Sequence, residues 1–247
     1  MIQIGLTAIV VIFAVGLVLY IVTGDKKPSS GETKSIRVAS TSLIKKDGTD
    51  EPKAVLSLYE DFLCPVCGKF EQTFGPTITK LIDSGAVAAD YNMVAILDRP
   101  QNDNYSSRSG AAAYCVADED TSPGKDVFKR FHAALYAQQP SETGTAFPTN
   151  TQLIETARQA GVVGKVPECI NSGRNLNLVS GLASASKVNA TPTVRINGED
   201  YEWTTPDALV AKIKEIVGDV PGLTAAPPAA QPTPLPAAPA PVPAPAP

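Results

Sequence analysis

Residues 54–67 read AVLSLYEDFLCPVC. Val55, Leu56, Leu58, Tyr59 and Phe62 make Ala54 to Phe62 a nearly continuous apolar run, the pattern of a strand buried inside a sheet. Beyond the run, Phe70, Phe74, Ile78, Leu81 and Ile82 recur at helical spacing, with Gly75-Pro76 predicting a kink or break and Gly85 a stop. Cys64-Pro65-Val66-Cys67 therefore stands where a buried strand passes into a helix. A helix start has four N–H groups without intrahelical partners and about half a positive charge, so it favours a thiolate at Cys64 over the thiol. A more acidic thiol is a more abundant nucleophile at neutral pH and a better leaving group in exchange. An inert structural disulfide is the alternative for this pair.

Outward from that stretch, strands are predicted at Ile36 to Leu43 and Val87 to Leu97, and helices at Tyr105 to Asp118, Val127 to Gln138, Thr151 to Ala160 and Leu176 to Val188. Strands return at Thr193 to Ile196 and Asp200 to Trp203 around an Asn197-Gly198 turn, and a last helix runs from Thr205-Pro206 to a stop at Gly218. The order is β-β-α-β, a helical block, then β-β-α. That is an α/β fold with a helical insertion.

Two further constellations remain. Cys115 and Cys169 either complete a four-sulfur zinc site with Cys64 and Cys67 or bond to each other. Structural zinc sites bring a second short-spaced ligand pair, which these two cysteines are not, so the spacing favours a disulfide and, with it, an oxidising compartment. Ala190-Thr191-Pro192-Thr193 puts a proline at the opening of a strand, which suits either a turn or a cis peptide bond; the Cys-x-x-Cys upstream favours cis.

Taken together, Tyr59 to Cys67, the helical insertion, Ala190 to Thr193 and Val194 to Gly198 resemble the DsbA-like branch of the thioredoxin superfamily, and most nearly its membrane-anchored actinobacterial members, over about residues 35–218. The resemblance implies a thioredoxin core (35–101 and 189–218) around a helical insertion (102–188). It makes Cys64 the exposed nucleophile, Cys67 its buried partner, and Thr191-Pro192 a cis-proline loop that faces the disulfide and pairs with substrate backbone. It also fits a Cys115–Cys169 bond within the insertion. Pro65 and Val66 tune the pair. The best-known members carry histidine before the second cysteine; Val66 cannot donate to a thiolate, so a less acidic Cys64 is expected. Glu60 or Asp61 is a candidate proton acceptor for Cys67, although a carboxylate flanking a strand end is more often solvated. His132, the only histidine, is expected to be a surface or hydrogen-bonded residue without a catalytic role.

The charges frame this domain. The 21 Lys+Arg and 25 Asp+Glu all lie between Asp25 and Asp219, for a net charge of -4. With no basic cluster, nucleic acid is not an expected partner. A single histidine rules out an HExxH zinc site. Residues 1–24 hold an apolar body from Ile4 to Val22, long enough to span a bilayer as an uncleaved anchor, followed by a linker at 25–34. Lys26 and Lys27 alone would put the following domain in the cytoplasm; the disulfide places it outside. Residues 219–247 are expected to be a disordered Pro/Ala-rich tail, since 221–247 holds 11 of the 22 prolines.

The sequence thus predicts a membrane-tethered, extracytoplasmic oxidoreductase that forms disulfides in reduced secreted or cell-wall proteins. No cofactor or metal is expected, because electrons enter and leave through cysteines. By resemblance, the reoxidising partner is a DsbB-like protein or a vitamin K epoxide reductase homologue in the membrane. A disulfide reductase or isomerase, favoured by Val66, and a non-catalytic interaction module are the rival readings.

Overall fold

The computed structural model describes residues 34–223. Contacts separate Met1–Lys34 from Ser35–Pro247, and the elements of the described residues fall in the second unit. The predicted anchor at 1–24, nearly all of the linker and most of the tail lie outside the described residues, among which no helix is long and apolar enough to cross a membrane.

The chain forms β1 (Ile36–Val38), β2 (Val55–Glu60), α1 (Pro65–Asp83) and β3 (Ala88–Met93). After a 3-10 turn at Pro100–Asn102 come α2 (Tyr105–Glu119), α3 (Asp126–Ala137), α4 (Asn150–Gln159), α5 (Val166–Ser172) and α6 (Leu176–Ala185). It closes with β4 (Thr193–Ile196), β5 (Glu199–Asp200) and α7 (Pro206–Val217). The sheet order is β1-β3-β2-β4-β5, with β2 and β3 parallel and the other pairs antiparallel. This is the α/β, thioredoxin-like arrangement the resemblance implied, with five helices inserted between β3 and β4.

β2 lies at the centre of the sheet, which is why its side chains are apolar almost without alternation. β3 is buried at all six positions, and α1, α2 and α6 all pack on it. Its one carboxylate within the ladder, Asp90, accepts two 2.7 Å hydrogen bonds from Arg37 on β1.

Several local expectations differ from the structure. α1 is continuous through Pro76, with Phe70, Phe74, Ile78, Leu81 and Ile82 buried along one face. Tertiary packing of that face holds the helix together across the missing N–H. β1 stops at Val38 because Ala39 N–H bonds Pro123 and the Ser40 hydroxyl accepts from Ser42 N–H, an alternative to the ladder. α5, which carries Cys169, has no counterpart in the sequence reading; at seven residues it is too short to show a period. Leu223, assigned to the tail, is 3% exposed and packs into the core. Gly85 ends α1 at φ 75°, where a Cβ would lie 2.2 Å from the Ser42 carbonyl oxygen.

Cys115 on α2 and Cys169 on α5 form a disulfide that is buried among the insertion helices. Their bonding removes the two thiols that a four-sulfur zinc site would need. Closing a loop of 54 residues stabilises the fold by about 4 kcal/mol on the chain-entropy model. Replacing both cysteines with alanine is expected to lower the denaturant midpoint by a stability loss of roughly 2–4 kcal/mol, measured by equilibrium unfolding.

Candidate active site

β2 runs out at Glu60, and Asp61 to Cys64 turn the chain into α1. Asp61 shapes that turn from within. Its Oδ1 accepts from Leu63 N–H at 2.9 Å, its Oδ2 from Leu97 N–H at 3.0 Å, and its backbone oxygen from Cys64 N–H at 2.9 Å. Cys64 thereby becomes the N-cap of α1, with Pro65 at the first helical position, where a missing N–H costs nothing.

Opposite Cys64, the Thr191–Pro192 peptide is cis. The Cys64 thiol lies 3.4 Å from the Thr191 carbonyl oxygen, to which it donates. Beside the proline, a groove of about 470 Å³ is lined by Pro192, Thr193, Tyr201, Glu202 and Trp203 among others. Trp203 closes its inner wall by packing edge-on against Phe70 and Phe74 of α1.

The two cysteines are free and have opposite acidities. Hydrogen bonds from the Cys67 side chain, then from Thr191 and the N–H groups of Cys67 and Val66, outweigh desolvation and bring the Cys64 thiol down to about 5. Burial pushes the Cys67 thiol far up, and both its hydrogen bond to Cys64 and the nearby Glu60 carboxylate add to the effect. Beneath the pair, Glu60 is 0% exposed, and burial raises its carboxyl to about 7. Its Oε2 lies 2.9 Å from His132 Nε2 on α3, and its carboxyl group stands beside that of Glu71 on α1 in the same cluster. Burial raises Asp61 to about 6 and Glu71 well above the usual carboxylate range, and holds His132 below the usual imidazole value.

A family model described as thioredoxin matches residues 47–215. Oxidised DsbA of Mycobacterium tuberculosis is 64% identical, over 76% of this chain and 95% of that chain, with a TM-score of 0.73. Reduced DsbG of the same organism is 62% identical, over 80% and 95%, with a TM-score of 0.74. The chain belongs to the thioredoxin family, in its DsbA-like branch. Residues of this DsbA-like chain also match the serine/threonine-protein kinase PknE of M. tuberculosis, 26% identical over 162 residues. The match covers 63% of this chain and 27% of the kinase, so the chain spans about a quarter of the curated relative's length.

Within the DsbA-like site, two expectations need correction. Cys64, implied to be exposed, is only 7% exposed, because the cis-proline loop lies against its sulfur. Glu60 and Asp61, expected to be solvated, are both fully buried: β2 is central, so its end lies inside the molecule, where Glu60 meets α1 and α3 and Asp61 holds the turn. Val66, 46% exposed, contributes its backbone N–H and not its side chain to the acidity of Cys64. His132 is buried and hydrogen-bonded.

Two residues of the site had gone unnoticed. Glu71 sits four positions after Cys67, on the same helical face, a spacing that was there to be read. Gln139, just beyond α3, donates from Nε2 to the Phe62 oxygen at 3.0 Å and the Cys64 oxygen at 2.9 Å, clamping the turn from 75 residues away. No sequence signal marks it. Glu60, Glu71 and His132 also bring three potential metal ligands within 4.8 Å of one another, the one such group among the described residues.

With Cys64 and Cys67 free, Glu60 keeps its proton to about pH 7 when folded and to about 4.5 when unfolded, so its contribution to stability falls as pH rises between these values and is level above them. Glu60→Gln is expected to flatten that slope and stabilise the reduced protein above pH 7 by on the order of 1–3 kcal/mol, measured by unfolding across pH. Gln139→Ala leaves the Phe62 oxygen without its donor and is expected to cost about 1–3 kcal/mol in the same assay.

Proposed function

We propose that this protein is a membrane-tethered, extracytoplasmic thiol-disulfide oxidase that forms disulfides in reduced secreted or cell-wall proteins, with Cys64 and Cys67 as its redox pair. The observation that carries the reading is the acidity of Cys64, about 5, beside a Cys67 thiol pushed far the other way. A thiolate held this well stabilises the reduced form, which makes the corresponding disulfide oxidising.

In the reaction a substrate thiolate attacks Cys64 Sγ. The Cys64–Cys67 bond breaks, a mixed disulfide forms, and the Cys67 sulfur leaves with the electron pair. Because its own thiolate is strongly disfavoured, Cys67 needs a proton as it leaves, and Glu60, protonated to about pH 7, supplies it. A second substrate thiolate then attacks the substrate sulfur of the mixed disulfide and releases Cys64 as a thiolate, its preferred state. The Thr191 backbone beside Cys64 and the adjoining groove receive an extended substrate segment. Reoxidation of the pair falls to a membrane partner of the DsbB or vitamin K epoxide reductase kind. The compartment is supported by the Cys115–Cys169 bond, which an oxidising environment maintains, and the tether by the apolar run at 4–22.

Reduced protein is expected to show an ultraviolet thiolate signal with a midpoint at about pH 5, lost in Cys64→Ser. Its reduction potential should lie nearer about -120 mV than the about -270 mV of a thioredoxin-type reductase. Cys64→Ser should abolish refolding of a reduced multi-cysteine substrate and Cys67→Ser should accumulate the mixed disulfide; an unchanged yield in Cys64→Ser ends the catalytic reading. Alkylation and mass mapping of protein from native membranes tests the tether and the resting redox state.

A further inference from the structure

Glu60 has no solvent exposure, so after it gives its proton to Cys67 it must be recharged from elsewhere. The front of the site is closed at that moment, because the substrate is bonded to Cys64 and the cis-proline loop covers the sulfur. Behind Glu60 the packing is different. The side-chain exposure rises from 0% at Glu60 through 5% at His132 to 15% at Glu71. Glu71 and His132 line a cavity of about 300 Å³ together with Pro76, Tyr91, Phe128 and Lys129, among others. That cavity shares no lining residue with the groove beside Pro192.

We propose that Glu71, joined to Glu60 directly and through His132, is the proton outlet of the Cys64–Cys67 pair, carrying protons between Glu60 and the cavity between α1 and α3 on a route separate from the substrate groove.

The contacts supply two parallel links. The Glu60 and Glu71 carboxyl groups lie in one cluster with His132, ligand atoms of the three within 4.8 Å of one another, so a small turn of either carboxyl lets a proton pass between them without the ring. His132 presents Nε2 to Glu60 Oε2 at 2.9 Å and Nδ1 to Glu71 Oε2 at 3.9 Å, a gap that a small turn of the carboxyl or a water from the cavity spans. Neutral imidazole accepts at one nitrogen and donates at the other, so a proton entering at Nδ1 lets another leave at Nε2 with no net charge stored on the ring. Glu60 Oε1 and Glu71 Oε1 remain buried without a hydrogen-bond donor from the protein, spare acceptor positions of the sort a relay requires. The balance is simple: Cys67 gains one proton, Glu60 loses and regains it, Glu71 does the same, and the cavity supplies it. On reoxidation of the pair the route runs backwards. The other titratable groups facing the cluster are Cys67 on α1, Tyr91 on β3, and Lys129 and Tyr136 on α3. Both tyrosines are raised well above their usual range by burial and stay neutral, and Lys129 is tied to Asp126 at 2.8 Å.

This role rests on the thiol-exchange reading of the pair, and the test separates the two. Glu71 held protonated is neutral, so Glu71→Gln copies its charge and shape but cannot pass a proton. Stopped-flow exchange with a reduced peptide, followed by Trp203 fluorescence, is measured across pH in ordinary and heavy water, alongside the equilibrium potential and a thermal melt. The expected result is a rate roughly tenfold or more lower in both directions, with an enlarged solvent isotope effect and an unchanged potential, since a conduit alters the barrier and not the end states. His132→Gln keeps the direct carboxyl link and is expected to slow exchange less than Glu71→Gln. A folded Glu71→Gln protein with the wild-type rate and pH profile overturns the outlet. So does a rate change matched by a shift in potential, which would mean an electrostatic role alone. If the wild-type protein itself exchanges no thiols, the reading of the pair is what fails.

Discussion

One turn of helix separates a thiol that ionises readily from one that hardly ionises at all. Cys64 stands at the N-cap of α1, where unpaired N–H groups, Thr191 and the Cys67 thiol converge on its sulfur; Cys67 is buried in the interior near the Glu60 carboxyl. Much of the surrounding structure serves this asymmetry. β2 must end inside the molecule, so that the turn to α1 is buried; Asp61 must satisfy the N–H groups of that turn; and the cis-proline loop must lie against Cys64 without covering the groove beside it. The acidity does not depend on the side chain between the cysteines. Valine suffices at position 66 because backbone and the partner thiol do what a histidine side chain would reinforce.

The helical insertion is part of the site and not an appendage to it. α3 contributes His132 to the Glu60 cluster, and the residues just past its end supply the Gln139 clamp on the turn. Phe62, immediately before the turn, packs against both His132 and Tyr136. α3 is held in turn by its packing on α2 and α4, and α2 is bonded covalently to α5 through Cys115–Cys169. The buried disulfide therefore stiffens the frame from which the insertion reaches the redox pair, at a distance from the exchange chemistry.

The parts of this arrangement visible in the sequence are those set by local rules. An apolar run, Cys-Pro-x-Cys and a helical period locate the junction at Cys64, and Asn197-Gly198 marks the hairpin with both residues at positive φ. Helix existence in the insertion was legible, except for α5, and helix ends were softer. What was hidden depends on three-dimensional neighbours. Whether Glu60 is wet or dry turns on β2 being central and on α3 crossing beneath it, neither of which leaves a trace within residues 54–67. Gln139 is a polar residue after a helix, and nothing in its own neighbourhood distinguishes it from a solvated one. Pro76 shows the converse: its local rule was clear, and packing on both sides of it prevailed.

Glu60, Glu71 and Asp61 are expensive for the fold. Each is raised by burial, and at neutral pH each binds protons more tightly folded than unfolded, which subtracts from stability. Asp61 recovers part of that cost through the two hydrogen bonds its carboxyl group accepts, from Leu63 N–H in the turn and from Leu97 N–H. Glu60 and Glu71 recover less, since each keeps a buried oxygen with no donor, and an apolar pair of similar size would pack the same space without that cost. Groups that weaken a core persist where a reaction needs them. In the proposed exchange the need is specific: Cys67 changes protonation in every cycle, it is fully buried, and the carboxyl cluster of Glu60 and Glu71 lies within reach of it. The destabilising cluster and the strongly disfavoured thiolate are thus two sides of one design, in which the buried cysteine is kept a thiol and its proton is kept close at hand.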